Sequence, residues 1–358
     1  MTTGQSLEGG ALGIALLHLE TRNWPAAAAA LRDATVDDVT IGEGASLFYG
    51  APALAFVLTA INHPGLVHAR AVAADGTAAV TRRRLDAAHR RIDDRAQPHY
   101  GEYDLISGLT GLGVVLRRLG DHDLLRDVLA YLVRLTDPVY DLPGWWCWNG
   151  PERSLPIPDG GHANFGMAHG ITGPLALLAV AYRDHITVDG HRQALHRICR
   201  WLDAWQQDTN TGTWWPPTLT RNELHHGTTR QQTPLRPSWC YGTPGIARAQ
   251  QLAGQALDDA ARQHLAETVF ASCIADRTQL RRITDRSLCH GTAGLLATAR
   301  RINADAGAPI AIAPVERLHR RARATPDEPP GLLDGTAGAD LATAETNTTA
   351  WDTCLLLA

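Results

Sequence analysis

The sequence predicts an all-α protein, namely an α/α toroid (a double-layered barrel) of about seven helix pairs. Three observations predict this fold. A short glycine phrase occurs seven times, each phrase opens an apolar, helix-like stretch, and strand-type alternation of apolar and polar residues is scarce. A chain of 358 residues could form two average domains or one large closed architecture. Because the repeats run through the whole chain, we expect one α/α-barrel domain over residues 1–358.

Each repeat is marked by a phrase glycine that is followed three residues later by Gly or Ala. The seven phrases are SLEGGALG, SLFYGAPA, DLISGLTG, GMAHGITG, SWCYGTPG, SLCHGTAG and GLLDGTAG, with the phrase glycines Gly10, Gly50, Gly108, Gly170, Gly242, Gly291 and Gly335. The first two phrases have looser endings than the later ones. Successive phrase glycines are 40 to 72 residues apart, so insertions lie between the copies and not inside them.

One repeat unit is predicted to consist of a loop, an inner apolar helix and an outer amphipathic helix. After Gly170 the chain reads GPLALLAVAY, and the later stretch HRQALHRICRWLDAWQQ places Leu195, Ile198, Leu202 and Trp205 on one helix face. Such units cannot bury their inner faces alone, whereas stacking them and closing the stack into a ring removes exposed ends. An open α-solenoid with glycine-marked turns is the alternative.

Two stretches depart from the repeat, residues 136–163 and residues 208–237. Both are rich in Pro, Gly and Trp and cannot be regular helix for long. Both precede glycine phrases, so we expect them at the same mouth of the ring as the phrase loops. Aromatic loops around a mouth suit an extended ligand such as a peptide. Tryptophans that only hold these loops against the protein are the alternative.

Charge and composition exclude several classes of protein. The chain has 33 Lys and Arg against 37 Asp and Glu, a net charge of -4, and no basic tract of the kind that binds nucleic acid. No apolar run is long enough to span a membrane, and the first residues do not read as a secretory signal. The six cysteines form no CxxC pair, which excludes a zinc ribbon or a thioredoxin-type motif. We therefore expect a soluble cytoplasmic protein.

Alignment of the copies on their phrase glycines brings distant residues into equivalent positions. Cys240 and Cys289 both stand two residues before the glycine, and His169 and His290 both stand one residue before it. Equivalent loop positions in a ring face the same mouth, so these side chains should converge. Two thiolates and an imidazole suit zinc, and three protein ligands leave the open position of a catalytic zinc. The sequence thus predicts one zinc ion held by Cys240, Cys289 and His290, and buried structural roles for Cys199, Cys273 and Cys354.

The ligand types narrow the reaction. Two thiolates neutralise the charge of the ion, so a substrate thiol bound there stays electron-rich, which favours thiol activation. Addition of a thiolate to an electron-poor double bond generates an enolate that needs charge stabilisation and then a proton. We predict His169 as the acid or base, Asp104 as its hydrogen-bond partner and Arg236 as the group that stabilises the enolate. A salt-bridge role for Arg236 and a helix-cap role for Asp104 are the alternatives.

Several of these motifs closely resemble the lanthionine synthetase C (LanC-like) family, the cyclases of class I lanthipeptide biosynthesis. The motifs are SWCYG at 238–242, SLCHG at 287–291, GMAHG at 166–170, YDLISGLTGLG at 103–113, PGWW at 143–146 and WDTCLLL near the end. The resemblance runs from about residue 6 to the C-terminus. Some family members carry an extra subdomain in the barrel, but the interval between Gly50 and Gly108, which contains TRRRLDAAHRRIDDR, is too short for a full one.

The resemblance implies a seven-fold α/α-barrel with a zinc site. Cyclases of this family add precursor-peptide cysteines to dehydroalanine or dehydrobutyrine and so close thioether rings. Carried over by motif, the zinc ligands are Cys240, Cys289 and His290, the acid-base pair is His169 with Asp104, and Arg236 is a further active-site residue. The resemblance also implies a dehydrated precursor peptide as partner and a separate dehydratase. It leaves open whether a transporter is a further partner and whether the protein associates with a membrane through a biosynthetic complex.

Three other functions stay open at this point. A LanC-like protein that adds glutathione or another small thiol to dehydroamino acids would have the same zinc site. A non-catalytic peptide-binding toroid belongs to another class of protein. An α/α-toroid glycosidase would need paired carboxylates at the mouth, where the sequence offers only Asp104 and Asp334.

Overall fold

A computed structural model describes residues 3–150, 156–209, 212–344 and 346–358 of the chain. Residues 151–155 and 210–211, which belong to the two Pro- and Trp-rich stretches, lie outside the described residues. The helices are α1 (Ala11–Glu20), α2 (Trp24–Ala34), α3 (Ala51–Leu58), α4 (Val67–Asp93), α5 (Tyr100–Tyr103), α6 (Leu109–Leu119), α7 (His122–Leu135), α8 (Thr172–Arg183), α9 (His191–Ala204), α10 (Arg221–His226), α11 (Thr243–Leu257), α12 (Ala260–Ala275), α13 (Arg277–Leu280), α14 (Thr292–Asp305), α15 (Ala313–Arg321) and α16 (Thr336–Thr343). Short strands are β1 (His162–Asn164), β2 (Gln207–Thr209), β3 (Gly212–Trp214) and β4 (Thr218–Thr220). Turns of 3-10 helix occupy Thr3–Gln5, Pro64–Leu66 and Trp351–Leu355.

Seven of the described helices form a closed inner ring. They are α1, α3, α6, α8, α11, α14 and α16, and each begins one or two residues after a phrase glycine. Each inner helix contacts the next one along the chain, and α16 contacts α1. The predicted all-α toroid is confirmed, and the open solenoid is excluded because its end helices would not touch.

The outer layer differs from the prediction at one position. Helices α2, α4, α7, α9, α12 and α15 each pack on the inner helix that precedes them. After α16, the described chain instead forms the buried 3-10 turn Trp351–Leu355, which packs against α6. The indole N–H of Trp239 donates to the carbonyl of Leu355 (2.9 Å), and Arg248 donates to the carbonyl of Leu357. These bonds draw the last residues inward, so the described residues hold six helix pairs and an unpaired seventh inner helix.

The two layers bury different amounts of surface, as the sequence pattern predicts. In α8, every residue from Thr172 to Ala181 is buried. The outer helix α9 buries only one face, which includes Leu195, Ile198 and Leu202. The interval between the second and third phrases forms the long outer helix α4 and no further subdomain. Among the described residues, no helix combines the length and the apolar composition that crossing a membrane requires.

The second glycine of each phrase allows the loop to lie against its own helix. A Cβ atom at this position would lie 1.9 to 2.7 Å from the carbonyl oxygen of the residue six positions earlier, at Gly13, Gly111, Gly173, Gly245, Gly294 and Gly338. Because real Cβ atoms do not approach a carbonyl so closely, only glycine fits there. The second phrase departs from this geometry: it has Ala53 at this position, and its Gly50 has a φ of +74°. The first phrase, despite its looser sequence, shares the geometry of the later copies.

A line of backbone hydrogen bonds joins neighbouring phrase loops around the mouth of the ring. In each bond, the acceptor is the carbonyl of the residue two positions before the next phrase glycine. The bonds run from Leu7 to Phe48, Leu105 to Ala168, Ala168 to Cys240, Cys240 to Cys289, Cys289 to Leu333 and Leu333 to Glu8. The last of them joins the seventh copy to the first. Equivalent loop positions are therefore neighbours at one end of the ring.

The two Pro- and Trp-rich stretches pair with each other beside the phrase loops. Strand β1 pairs antiparallel with β4, with His162 opposite Thr220 and Asn164 opposite Thr218. The chain runs from β1 directly into the fourth phrase loop, where the Asn164 side chain accepts from the backbone N–H of Gly166 (2.9 Å). Part of each stretch is therefore fixed to the mouth, as the sequence predicts.

We predict that Glu20, which is only 5% exposed at the end of α1, makes a pH-dependent contribution to the stability of the closed ring. Its carboxylate accepts from the backbone N–H groups of Thr348 and Thr349 (both 2.8 Å) and from their hydroxyls. Burial raises the pKa of Glu20, but these hydrogen bonds outweigh burial and hold the pKa below its usual value. A folded-state pKa below the unfolded one adds stability above the unfolded pKa, and this stability is lost as the pH falls through the folded pKa.

We expect Glu20→Gln to lower the free energy of unfolding at pH 7 by about 1–3 kcal/mol, because hydrogen bonds to a charged group are lost. Urea titrations at pH 7 and in the acid range measure this value. The difference from wild type should shrink in acid, where wild-type Glu20 is also protonated. Glu43→Gln, at an exposed position, is the control and should unfold as wild type at both pH values. An equal loss at both pH values would contradict the role of the Glu20 charge.

Candidate metal centre and acid-base pair

Three of the predicted residues meet at the mouth of the ring. The ligand atoms of Cys240, Cys289 and His290 lie within 4.8 Å of one another. Cys240 belongs to the fifth phrase loop, and the other two belong to the sixth. The backbone N–H of Cys240 donates to the carbonyl of Cys289 (3.2 Å), so the bond that joins the two loops also brings the two thiols together. Residues 49 positions apart thus form one side-chain cluster because their copies are neighbours.

The sixth phrase loop lets Cys289 and His290 reach the same point although they are adjacent in sequence. Helix α14 begins only at Thr292, so both residues lie in non-helical backbone. The hydroxyl of Ser287 accepts from the backbone N–H of His290 (3.2 Å), and Asp285 in turn accepts from the backbone N–H of Ser287 (2.9 Å). A carboxylate oxygen of Asp285 also lies 3.5 Å from Nε2 of His290. This second contact is the kind that orients a metal-binding imidazole.

The charges in this cluster fit a divalent cation. The hydrogen bond from Cys289, together with one from His290, holds the pKa of Cys240 well below its usual value in spite of burial. Conversely, the hydrogen bond that the Cys289 thiol makes with the Cys240 thiolate raises the pKa of Cys289, as do burial and the repulsion that a second negative sulfur atom would meet there. A bound cation would offset this repulsion and allow both sulfurs to ionise. Two sulfurs and one imidazole nitrogen are the donor set that zinc prefers.

His169 and Asp104 form a second, adjacent group. Nδ1 of His169 lies 2.5 Å from a carboxylate oxygen of Asp104, whose other oxygen accepts from the backbone N–H of Ser107 (2.7 Å). Asp104 is fully buried, whereas the side chain of His169 is 28% exposed. Burial lowers the pKa of His169, but the hydrogen bond and charge of Asp104 outweigh it, so that its pKa is raised. With Nδ1 bound to Asp104, Nε2 is left to exchange a proton with a substrate.

The cap alternative for Asp104 holds only in part. Asp104 caps the turn of the third phrase loop through Ser107, but the N-cap residue of helix α6 is Gly108. Asp104 also differs from Asp334 in its surroundings: Asp104 is buried and bound to His169, whereas Asp334 is exposed. A glycosidase needs two carboxyl groups that both face the substrate. A buried Asp104 does not meet this requirement.

Arg236 interacts electrostatically with the cysteine cluster. It is half-buried, and its positive charge partly opposes the rise in the pKa of Cys289 and of His290 that their hydrogen bonds with Cys240 cause. Its position before Cys240 places it in the segment that leads into the fifth phrase loop. The guanidinium group thus adds positive charge to the mouth next to the sulfur atoms.

Three residues around His169 were missed by the sequence reasoning. The rings of Tyr100 and Tyr241 lie 5.1 and 6.3 Å from the imidazole of His169 between ring centres. The side chain of Asn164 donates to the hydroxyl of Tyr241 (3.1 Å). Tyr241 stands one residue before its phrase glycine, as His169 and His290 do, so the same alignment could have found it. Asn164 stands six residues before its phrase glycine, as Asp285 does, and both side chains accept from the backbone N–H two residues later. An alignment extended to that position could therefore have found Asn164, whereas Tyr100 lies outside its phrase.

The remaining cysteines lie away from the cluster. Cys199, Cys273 and Cys354 are buried, and burial raises the pKa of Cys199 and Cys273 to about 12. Cys147 is also buried, and its sulfur lies 3.2 Å from the hydroxyl of Tyr103. Neutral buried thiols of this kind act as small apolar side chains.

Comparison with known proteins agrees with the geometry. A family model described as lanthionine synthetase C-like protein matches residues 2–356. Over 205 residues the chain is 27% identical to the nisin biosynthesis protein NisC of Lactococcus lactis subsp. lactis, an alignment that covers 54% of this chain and 48% of that protein. The aligned part thus spans about half the length of this curated relative. A solved structure of nisin cyclase has the same fold, with a TM-score of 0.83 and 21% identity over 100% of this chain and 93% of that one.

Proposed function

The chain belongs to the lanthionine synthetase C-like family, and on that premise we propose that it is a lanthipeptide cyclase. The reaction would add a cysteine thiol of a dehydrated precursor peptide to dehydroalanine or dehydrobutyrine in the same peptide and form a lanthionine or methyllanthionine ring. The observation that carries the proposal is that the cluster Cys240, Cys289 and His290 lies beside the His169–Asp104 pair. The backbone N–H of Ala168, the residue before His169, donates to the carbonyl of Cys240 (3.3 Å). At such a mouth, the cluster can hold a metal ion that activates a thiol, and the His169–Asp104 pair can transfer a proton.

One zinc ion held by Cys240, Cys289 and His290 would lower the pKa of the substrate thiol and leave its sulfur nucleophilic. The protein's own residues then account for the rest of the reaction. As the C–S bond forms, the π electrons of the double bond move to the neighbouring carbonyl and give an enolate. The positive charge of Arg236 favours this negative charge. His169 exchanges the proton, which ends on the α-carbon, while Asp104 holds its ring in place.

The proposal places this chain after a dehydration reaction. The acceptor is a dehydrated Ser or Thr, so a separate dehydratase has to supply the peptide. A further partner of this protein would be a transporter that exports the product. The two would then meet in a membrane-bound complex.

Ring closure and its dependence on metal test the proposed function. The protein, a peptide with one dehydroalanine and one cysteine, and a thiol-capping reagent are combined before mass spectrometry. We expect closed peptide, which the reagent no longer labels, and about one zinc per chain by elemental analysis. Removing zinc with a chelator should abolish closure, and adding zinc back should restore it, because the thiol pKa returns to its usual value without the ion.

A parallel reaction with glutathione separates the two enzymatic alternatives. A glutathione adduct without a ring would favour the small-thiol reaction. Peptide that binds but stays open and unmodified in the presence of zinc would favour a non-catalytic toroid. Closure that persists at full rate after zinc is removed would contradict the proposed mechanism.

A further inference from the structure

A row of aromatic rings leads from His169 to the surface of the protein. The ring of Tyr100 lies 5.1 Å from His169, the ring of His99 lies 4.7 Å from Tyr100, and the ring of Trp148 lies 5.7 Å from His99, all between ring centres. We name His99, Tyr100 and Trp148 the aromatic wall. Neither the proposed reaction nor the repeat pattern assigns these residues a role.

The wall is held in place by backbone bonds between two segments. The backbone N–H of Trp148 donates to the carbonyl of Pro98 (3.4 Å), and the side chain of Asn149 accepts from the backbone N–H of Tyr100 (3.2 Å). Cys147 and His162 exchange two backbone bonds of 2.7 and 2.8 Å, which tie the Trp148 segment to β1. Since β1 leads into the loop of His169, the wall and the acid-base pair belong to one connected structure.

Exposure increases along the wall away from the site. Tyr100 is only 9% exposed and His99 is exposed, while Trp148, the outermost ring, is 52% exposed. An exposed indole at the outer end of such a row offers a large apolar surface with little entropy to lose on binding.

The rings form one continuous surface along which an extended peptide can lie. Their centres are 4.7 to 5.7 Å apart, less than the roughly 6.6 Å at which side chains on one face of an extended chain recur. Side chains of such a peptide would therefore contact the surface as a whole and not one ring each. A peptide whose dehydroamino acid lies at His169 would therefore pass its neighbouring side chains over Tyr100, His99 and Trp148. Apolar side chains gain most from such a contact, because both surfaces leave water.

We infer that the aromatic wall is a specificity subsite, in which Trp148 receives an apolar side chain of the precursor peptide a few residues away from the dehydroamino acid. This inference rests on the proposed function and adds to it a preference among substrates. Trp148 contacts the peptide without taking part in proton transfer.

The test uses two peptides that differ only at one position a few residues away from the dehydroalanine, which is either Leu or Ser. We expect Trp148→Ala to raise KM for the Leu peptide by about tenfold, to change kcat by less than about twofold, and to leave the Ser peptide nearly unaffected. Trp148→Phe, which keeps an aromatic ring, should restore most of the affinity. Trp24→Ala is the matched control, because Trp24 is 56% exposed on the outer helix α2, and it should behave as wild type.

Calorimetry with unreactive analogues separates failure of this inference from failure of the proposed function. In the analogues, Ala replaces dehydroalanine and Ser replaces the cysteine. If wild type closes no ring, the proposed function fails, while a Leu analogue that binds about tenfold more weakly to Trp148→Ala would still support the wall. Equal KM and binding in wild type and Trp148→Ala for the Leu peptide, or an equal loss for both peptides, would overturn the inference.

Discussion

Replacement of Cys240 by alanine is expected to remove the bound zinc and to lower the rate of ring closure by more than about 100-fold. Cys240 is 6% exposed and stands between Cys289 and His290, whose hydrogen bonds both stabilise its thiolate. Alanine at position 240 removes one of the three proposed ligands. It also removes the thiolate to which Cys289 and His290 are hydrogen-bonded. Elemental analysis of the purified variant and single-turnover mass spectrometry measure the two effects.

A buried cysteine outside the cluster provides the control for this variant. Cys199 is 1% exposed on α9, and Cys199→Ala removes the same sulfur atom from a buried position. We expect this variant to keep its zinc and its rate, with only a small loss of stability. Wild-type zinc content in Cys240→Ala, or full ring closure without zinc, would contradict the assignment of Cys240 as a ligand.

The sequence was sufficient to predict the ring because its signal is repeated. Each phrase glycine marks the start of an inner helix, and the six second glycines, in every phrase but the second, are needed because a carbonyl oxygen lies within 2.7 Å of the missing Cβ. A requirement imposed by the backbone leaves the same residue in these six copies. The unpaired seventh inner helix was not predictable in this way. It depends on bonds from Trp239 and Arg248 to Leu355 and Leu357, which lie more than 100 residues further along the chain.

In the candidate site too, residues inside the repeat were predictable from the sequence and residues outside it were not. Cys240, Cys289, His290 and His169 were predictable because they occupy matching positions of the repeat, and loop-to-loop hydrogen bonds make matching positions neighbours. The aromatic wall lies in segments outside the repeat, and no alignment of copies could place it.

The position of the site follows from this arrangement. A ring of loops brings together side chains from copies far apart in sequence without requiring any single loop to be long. The fifth and sixth copies supply the sulfur atoms, and the third and fourth supply the carboxylate and the imidazole. The proposed metal ligands and the proposed acid-base pair therefore belong to different loops, so we expect that one can be altered while the other is kept.

His169 and Asp104 allow that separation to be tested. Asp104 has no exposed surface, and its two oxygens accept from Nδ1 of His169 and from the backbone N–H of Ser107. Asparagine at position 104 has only one side-chain oxygen, so it can accept from only one of these donors. It also removes the negative charge that raises the pKa of His169.

We expect His169→Gln to slow ring closure by about 10²- to 10⁴-fold while the zinc content stays at the wild-type value, because the acid-base group is lost but no ligand is. Asp104→Asn should slow closure by at least about tenfold with zinc retained, because the imidazole loses its orientation and its charge partner. Single-turnover mass spectrometry and elemental analysis again give the two values. His68→Gln and Asp75→Asn, both at exposed positions on the outer helix α4, are matched controls and should leave rate and zinc unchanged. Loss of zinc in His169→Gln would show that His169 belongs to the metal centre, and an unchanged rate would remove it from the reaction.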